Sequence, residues 1–157
     1  MSALERSAPV GAPEDDAVSL GPTAARLWLV IASLVLIAVF LQPLFAGLMV
    51  RGHEWANAAH ENTAIGLVAV AVIATLVAAV TLRRRADGRA VVVALLTVAV
   101  LLVVQTALGE TAADGKDVLW LHFPLGVALV GAGARLVRAA RRLGGARPGL
   151  SIDPGNT

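Results

Sequence analysis

Residues 53–82 read HEWANAAHENTAIGLVAVAVIATLVAAVTL. Ten polar and small residues, two of them histidines, lead directly into a twenty-residue apolar run that stops at Arg83-Arg84-Arg85. At 1.5 Å per residue, such a run is long enough as a helix to cross the roughly 30 Å hydrocarbon core of a bilayer. Within lipid, every backbone N–H and C=O must find a partner inside the segment, so the run reads as a transmembrane helix. The histidines stand at its mouth.

Three more runs of this kind flank it. The predicted spans are about 27–50, 60–82, 90–108 and 118–137, the second with a polar lead-in from Glu54. The chain is 57% hydrophobic and only 15% charged, too apolar for a soluble domain to cover its own surface. The apolar residues come in long blocks rather than periodic stripes, which marks an integral membrane protein. The expected architecture is an all-α, up-down-up-down four-helix transmembrane bundle over 23–143. Disordered segments are expected at 1–22, where Pro13, Pro22 and the cluster Glu14-Asp15-Asp16 lie, and at 144–157. The first segment is not a signal peptide, because its approach is acidic and the following run is too long.

The net charge of +2 does not signal nucleic acid, since the basic residues sit at the ends of the apolar blocks. Arg6, Arg26, Arg83, Arg84, Arg85, Arg89, Arg135, Arg138, Arg141, Arg142 and Arg147 fall on one side. Only Arg51 and Lys116 fall on the other. By the positive-inside rule both termini are cytoplasmic and all three histidines lie at the outer face. Arginine outnumbers lysine in a chain rich in Ala, Val and Gly. This coding bias fits a GC-rich bacterial genome and hence a bacterial plasma membrane. There is no cysteine, which excludes disulfides, thiolate metal sites and covalent c-type haem attachment.

Several residues punctuate the spans. Pro43 deprives the Val39 carbonyl of its helical partner, so a kink is expected there, with Gln42 beside it as a packing or kink-satisfying residue. Arg51-Gly52 ends the first span, and Ala86-Asp87-Gly88-Arg89 reads as a tight turn. Residues 109–117 read as a polar loop. The fourth span is expected to start near Val118 with Asp117 as its N-cap and a distortion at Pro124. Trp28, Trp55 and Trp120 lie near span ends, as interfacial anchors do.

The two hairpins resemble weak copies of each other. Gln42, Gly47, Trp55, His60 and Gly66 in the first correspond to Gln105, Gly109, Trp120, His122 and Gly126 in the second. A repeat in one orientation implies a pseudo-two-fold axis along the membrane normal, which makes His60 and His122 equivalent. They then face each other from diagonal helices, as axial ligands of a haem iron do. With both axial positions taken by protein, electron transfer is the expected role. Small residues at Ala64, Ala71, Ala78, Gly126 and Gly133 leave room between helices or simply permit close packing. Arg51 is a candidate partner for a haem propionate. His53 lies in the loop and is expected to be exposed. The competing reading makes both histidines amphipathic residues at the water boundary. The protein is then a cofactor-free structural or accessory subunit with membrane-protein partners. No ionisable residue lies deep in a span, which argues against a pump.

Val104-Gln105-Thr106-Ala107-Leu108-Gly109 followed by Leu121-His122-Phe123-Pro124-Leu125-Gly126 resembles the third and fourth helices of one four-helix half of the haem A synthase family, with His60 at the mouth of the second helix fitting the same scheme. Leu41-Gln42-Pro43-Leu44-Phe45-Ala46-Gly47 also resembles the first helix of small bacterial four-helix membrane proteins. The resemblance implies a haem-binding histidine pair, and a b-type haem in this chain. The family has a glutamate three residues before the first histidine, where this chain has Asn57. It favours an arginine after that histidine, where this chain has Glu61. These departures point away from haem hydroxylation and toward electron transfer without catalysis.

Overall fold

Each apolar run becomes a helix, and the helices extend past the runs that predict them. In the computed structural model, which describes residues 20–145, α1 is Pro22–Val50, α2 Glu54–Thr81, α3 Ala86–Ala113 and α4 Leu119–Leu143. Every one is long and apolar enough to cross a membrane. Short connections force sequence neighbours to run antiparallel. α1 packs on α2 and α4, and α3 packs on α2 and α4, which closes a four-membered ring. The diagonal pairs α1/α3 and α2/α4 have no Cα–Cα approach within 8 Å. This is the all-α four-helix bundle expected from the sequence. Residues 1–19 and 146–157, nearly all of the two predicted tails, lie outside the described residues.

The helix ends carry local logic. Pro22 occupies the first turn of α1, where a missing N–H costs nothing. Glu54 sits in the first turn of α2 and complements the positive end of the helix dipole. At the end of α1, Gly52 N–H donates to Met49 O (2.9 Å) and His53 N–H to Leu48 O (3.1 Å). At the end of α3, Gly115 N–H donates to Ala112 O (3.0 Å) and Lys116 N–H to Thr111 O (3.3 Å). Both are Schellman motifs, and each places a glycine at φ +82°. Gly52 follows Gln42 by ten residues and Gly115 follows Gln105 by ten, so the two hairpins correspond in their turns as well. A Cβ at Gly115 would meet nothing within 4 Å. Gly115→Ala therefore isolates the left-handed backbone, and thermal melts of detergent-purified protein should show a loss of about 1–2 kcal/mol.

Three local expectations are corrected. Residues 86–89 are not a turn but the first turn of α3; the chain reverses over 82–85, where Arg85 N–H donates to Leu82 O at 3.0 Å. Gly88 is needed there for close approach, because a Cβ would stand 2.8 Å from Leu82 Cβ and would collide with the Leu82 carbonyl oxygen. The polar loop also shortens. α3 runs on to Ala113, with Thr111 Oγ1 donating to Ala107 O at 2.7 Å, until Gly115 stops it. The N-cap of α4 is Val118 rather than Asp117, because Leu121 and His122 N–H both close onto the Val118 carbonyl. α1 and α4 continue as helices through Pro43 and Pro124.

Trp28 is corrected too. It is only 8% exposed and packs in the core on the face of α1 that also buries Ala25, Ala32, Val35 and Val39. Trp55 and Trp120 are 58% and 69% exposed, as anchors at a boundary would be. α1 presents Leu27, Val30, Leu34, Ile37 and Leu41 outward, a stripe suited to lipid. Hydroxyls within the helices turn back on their own backbone: Ser33 donates to Leu29 O, Thr75 to Ala71 O and Thr97 to Val93 O. This removes free polar groups from the apolar faces.

Burial is uneven along the bundle axis. The buried core, with Leu82, Leu95, Leu136, Val39, Val91 and Val98 as its largest fully buried members, is densest in the arginine-rich half and extends just past the middle through Val39, Leu67, Leu102 and Leu129. Beyond these four, Ala56 is the only buried residue of the histidine half among the described residues. There Gln42, His60, Thr63, Ala64, Gln105, Gly109, His122 and Gly126 are all half-buried. Polar and small side chains replace the branched apolar ones that close the other end.

Candidate functional site: the histidine end of the bundle

Glutamine and histidine meet within each hairpin. His60 stands two turns inside α2, and its Nδ1 lies 3.3 Å from the Gln42 backbone carbonyl on α1. A carbonyl only accepts, so this contact, at the long end of hydrogen-bond range, requires Nδ1 to carry the proton. Nε2 then holds the free lone pair. In the second hairpin, Gln105 Nε2 on α3 donates to the His122 backbone carbonyl at 2.9 Å. The corresponding residues are therefore paired in both hairpins, but through different atoms.

Glycines let the second pair come close. A Cβ at Gly109 would lie 3.4 Å from His122 Cε1, and one at Gly126 would lie 3.3 Å from Gln105 Nε2. The imidazole thus lies against a glycine of α3 and the amide against a glycine of α4. Their counterparts Gly47 and Gly66 have nothing within 4 Å of a built Cβ, so the first hairpin is more open. His122 also makes an edge-on contact with Phe123, ring centres 6.2 Å apart.

Three polar atoms at this end are buried and lack hydrogen-bond partners: Gln42 Nε2, Gln105 Oε1 and His122 Nδ1. An unmatched buried polar atom costs about 1–3 kcal/mol, so three in one region of a small bundle mark it off from an ordinary packed interior. His60 and His122 are both half-buried. They project from α2 and α4, the diagonal helices whose backbones stay apart.

Among the other candidates, His53 caps the start of α2, is exposed, and lies 6.4 Å from the Trp55 ring centre. Arg51 caps the end of α1 at the same turn and is exposed. Asn57 and Glu61 are exposed as well. Among the described residues, no three His, Asp or Glu side chains come together as a bare metal ion would require. Clefts of about 470 and 450 Å³ open elsewhere, at the arginine end between α3 and α4 and along the α1/α2 groove.

Sequence reading singled out the glutamines and histidines as matched pairs. It missed the reciprocal fit of His122 on Gly109 and Gln105 on Gly126, which depends on the approach of α3 to α4. Fold and site together define a four-helix bundle of membrane-spanning type with a polar, two-histidine end. No protein-family model, curated protein or solved structure matches the chain. Function therefore has to be argued from the chemistry of the site itself.

Proposed function

We propose that this is a multi-pass protein of the bacterial plasma membrane, with cytoplasmic termini, that binds one b-type haem between His60 and His122 and transfers electrons. The observation that carries the reading is the diagonal histidine pair. The two half-buried imidazoles project from opposite helices of the ring, α2 and α4, in the half where the buried core thins out beyond Val39, Leu67, Leu102 and Leu129. A bare metal ion needs more protein ligands than are gathered here, whereas a haem iron takes only its two axial ligands from the protein.

The residues present fit that group. The Gln42 carbonyl holds His60 in the tautomer whose Nε2 is free to ligate, as second-sphere partners of ligating histidines do. The burial of His122 Nδ1 leaves its Nε2 as the more accessible ring nitrogen. Gly109 and Gly126 give the His122 ring and the Gln105 amide room to settle against the opposite helix. Arg51 stands at the same end of the bundle, where a propionate would emerge. A haem held by His60 and His122 would supply one-electron chemistry. The resemblance to one half of the haem A synthase family supports the same ligand pair, with Asn57 and Glu61 favouring electron transfer over hydroxylation.

The visible spectrum of protein purified in detergent from a haem-replete host tests the reading. A red preparation whose bands sharpen on reduction, as a bis-histidine haem's do, is expected. A colourless one overturns the proposal in favour of a cofactor-free accessory subunit.

A further inference from the structure

The arginines of the opposite end do more than orient the chain. Arg135, Arg138 and Arg142 recur at i, i+3 and i+7 on α4, so they share one helix face. Arg89, in the first turns of α3, meets that face. Together they line the cleft of about 470 Å³ between α3 and α4, and its lining contains no acidic side chain. Among the described residues none of the four guanidiniums has an ion-pair or hydrogen-bond partner. Arg83, Arg84 and Arg141 carry the same charge but stay outside the cleft.

The cleft is graded in polarity. Arg142 stands at the end of α4, and Arg135 lies about 10 Å further along the helix axis at 1.5 Å per residue. Beside the guanidiniums the floor is Val93, Ala94 and Ala139. Val93 is 56% exposed and begins an exposed apolar stripe that continues along α3 through Leu96, Val100 and Val103. An anionic group at the mouth would thus be continuous with a path for hydrocarbon along the helix. Guanidinium groups bind phosphate oxygens through paired N–H donors. Basic clefts between membrane helices at the cytoplasmic side suit phospholipid headgroups.

We propose that this cleft is a binding site for an anionic phospholipid, with the phosphodiester held by Arg89, Arg135, Arg138 and Arg142 and an acyl chain lying along the Val93–Val103 stripe of α3. The site is independent of the histidine end and of whether haem binds there.

Native mass spectrometry of the full-length protein in detergent tests it, with dioleoyl phosphatidylglycerol and dioleoyl phosphatidylcholine as probes. Phosphatidylglycerol should bind at least tenfold more tightly than the zwitterionic lipid. Arg135→Gln/Arg138→Gln should weaken that binding about 30-fold, from about 1 kcal/mol per arginine. Arg83→Gln/Arg84→Gln removes equal charge outside the cleft and should leave the binding nearly unchanged. Equal binding of the two lipids by the wild-type protein overturns the proposal without recourse to any variant. Equal losses in the two double variants also overturn it, because they reveal a diffuse basic rim. Displacement of phosphatidylglycerol by millimolar inorganic phosphate overturns it in favour of a free-phosphate site.

Discussion

Alanine at His60, or at His122, should abolish the bis-histidine spectrum of the purified protein, and the two variants should fail in the same way. Each removes one of the two imidazoles proposed to ligate from α2 and α4. No third histidine is placed to substitute, because His53 is exposed at the turn with its ring centre 6.4 Å from that of Trp55. His53→Ala should therefore leave the spectrum unchanged and serves as the control. Both target histidines are only half-buried, and of the largest fully buried side chains all but Val39 lie toward the other end of the bundle. Loss of one ring should thus cost the apoprotein no more than about 1–2 kcal/mol, the range for a hydrogen bond or a partly buried contact. A thermal melt separates loss of ligation from loss of fold. An unchanged bis-histidine spectrum in either variant would remove that residue from the site.

Gly88→Ala should be the most damaging glycine substitution in the bundle. In an ordinary helix, alanine for glycine stabilises by about 0.5–1 kcal/mol. Here the sign reverses. A methyl at Gly88 would meet the Leu82 carbonyl carbon at 2.9 Å and the Leu82 Cβ at 2.8 Å, and would run into the carbonyl oxygen. Leu82 cannot yield easily. It is fully buried, its N–H is bonded to Ala78 O at 2.7 Å, and its carbonyl accepts from Arg85. Relief requires α2 and α3 to separate at their turn, and overpacking of this kind costs about 1–3 kcal/mol. Gly131 is the natural comparison, since it is exposed within α4 and a Cβ there meets nothing within 4 Å. Melting temperatures should fall for Gly88→Ala and hold or rise for Gly131→Ala. A Gly88→Ala protein as stable as the wild type would mean that the α2–α3 turn is looser than this packing.

The hydrophobic blocks made the fold legible because the membrane restricts the choices: a twenty-residue apolar run has few options other than a helix. Boundaries were less legible. Apolarity ends where the bilayer is expected to end, whereas helices continue until something stops them. α3 passes the apolar limit and halts only at Gly115, and α2 begins within the polar lead-in at Glu54. Gly88 read as a turn residue because glycine serves both turns and close approach, and only the position of Leu82 tells them apart.

At the histidine end, the matched spacing of Gln42 with His60 and of Gln105 with His122 was visible in the chain, and each pair does meet within its hairpin. The atoms that meet were not visible. One hairpin uses the imidazole and a backbone carbonyl, the other an amide and a backbone carbonyl. That difference arises from how closely each pair of helices approaches, which glycine windows at 109 and 126 permit in the second hairpin alone. Trp28 was misread for a related reason. Its distance from the span end suits an anchor, but its register with Ala25, Ala32 and Val35 turns it into the core.

By itself the sequence determined that this chain forms four apolar helices with arginines gathered at one end and histidines at the other, since composition and block length decide those features locally. Only the tertiary structure decided that most of the buried core gathers toward the arginine end and thins out toward the histidines. It alone gathered four of the arginines into one cleft and left three polar atoms unpartnered beside His60 and His122. Those properties depend on distances between helices, and such distances are set by side chains that lie far apart in the chain.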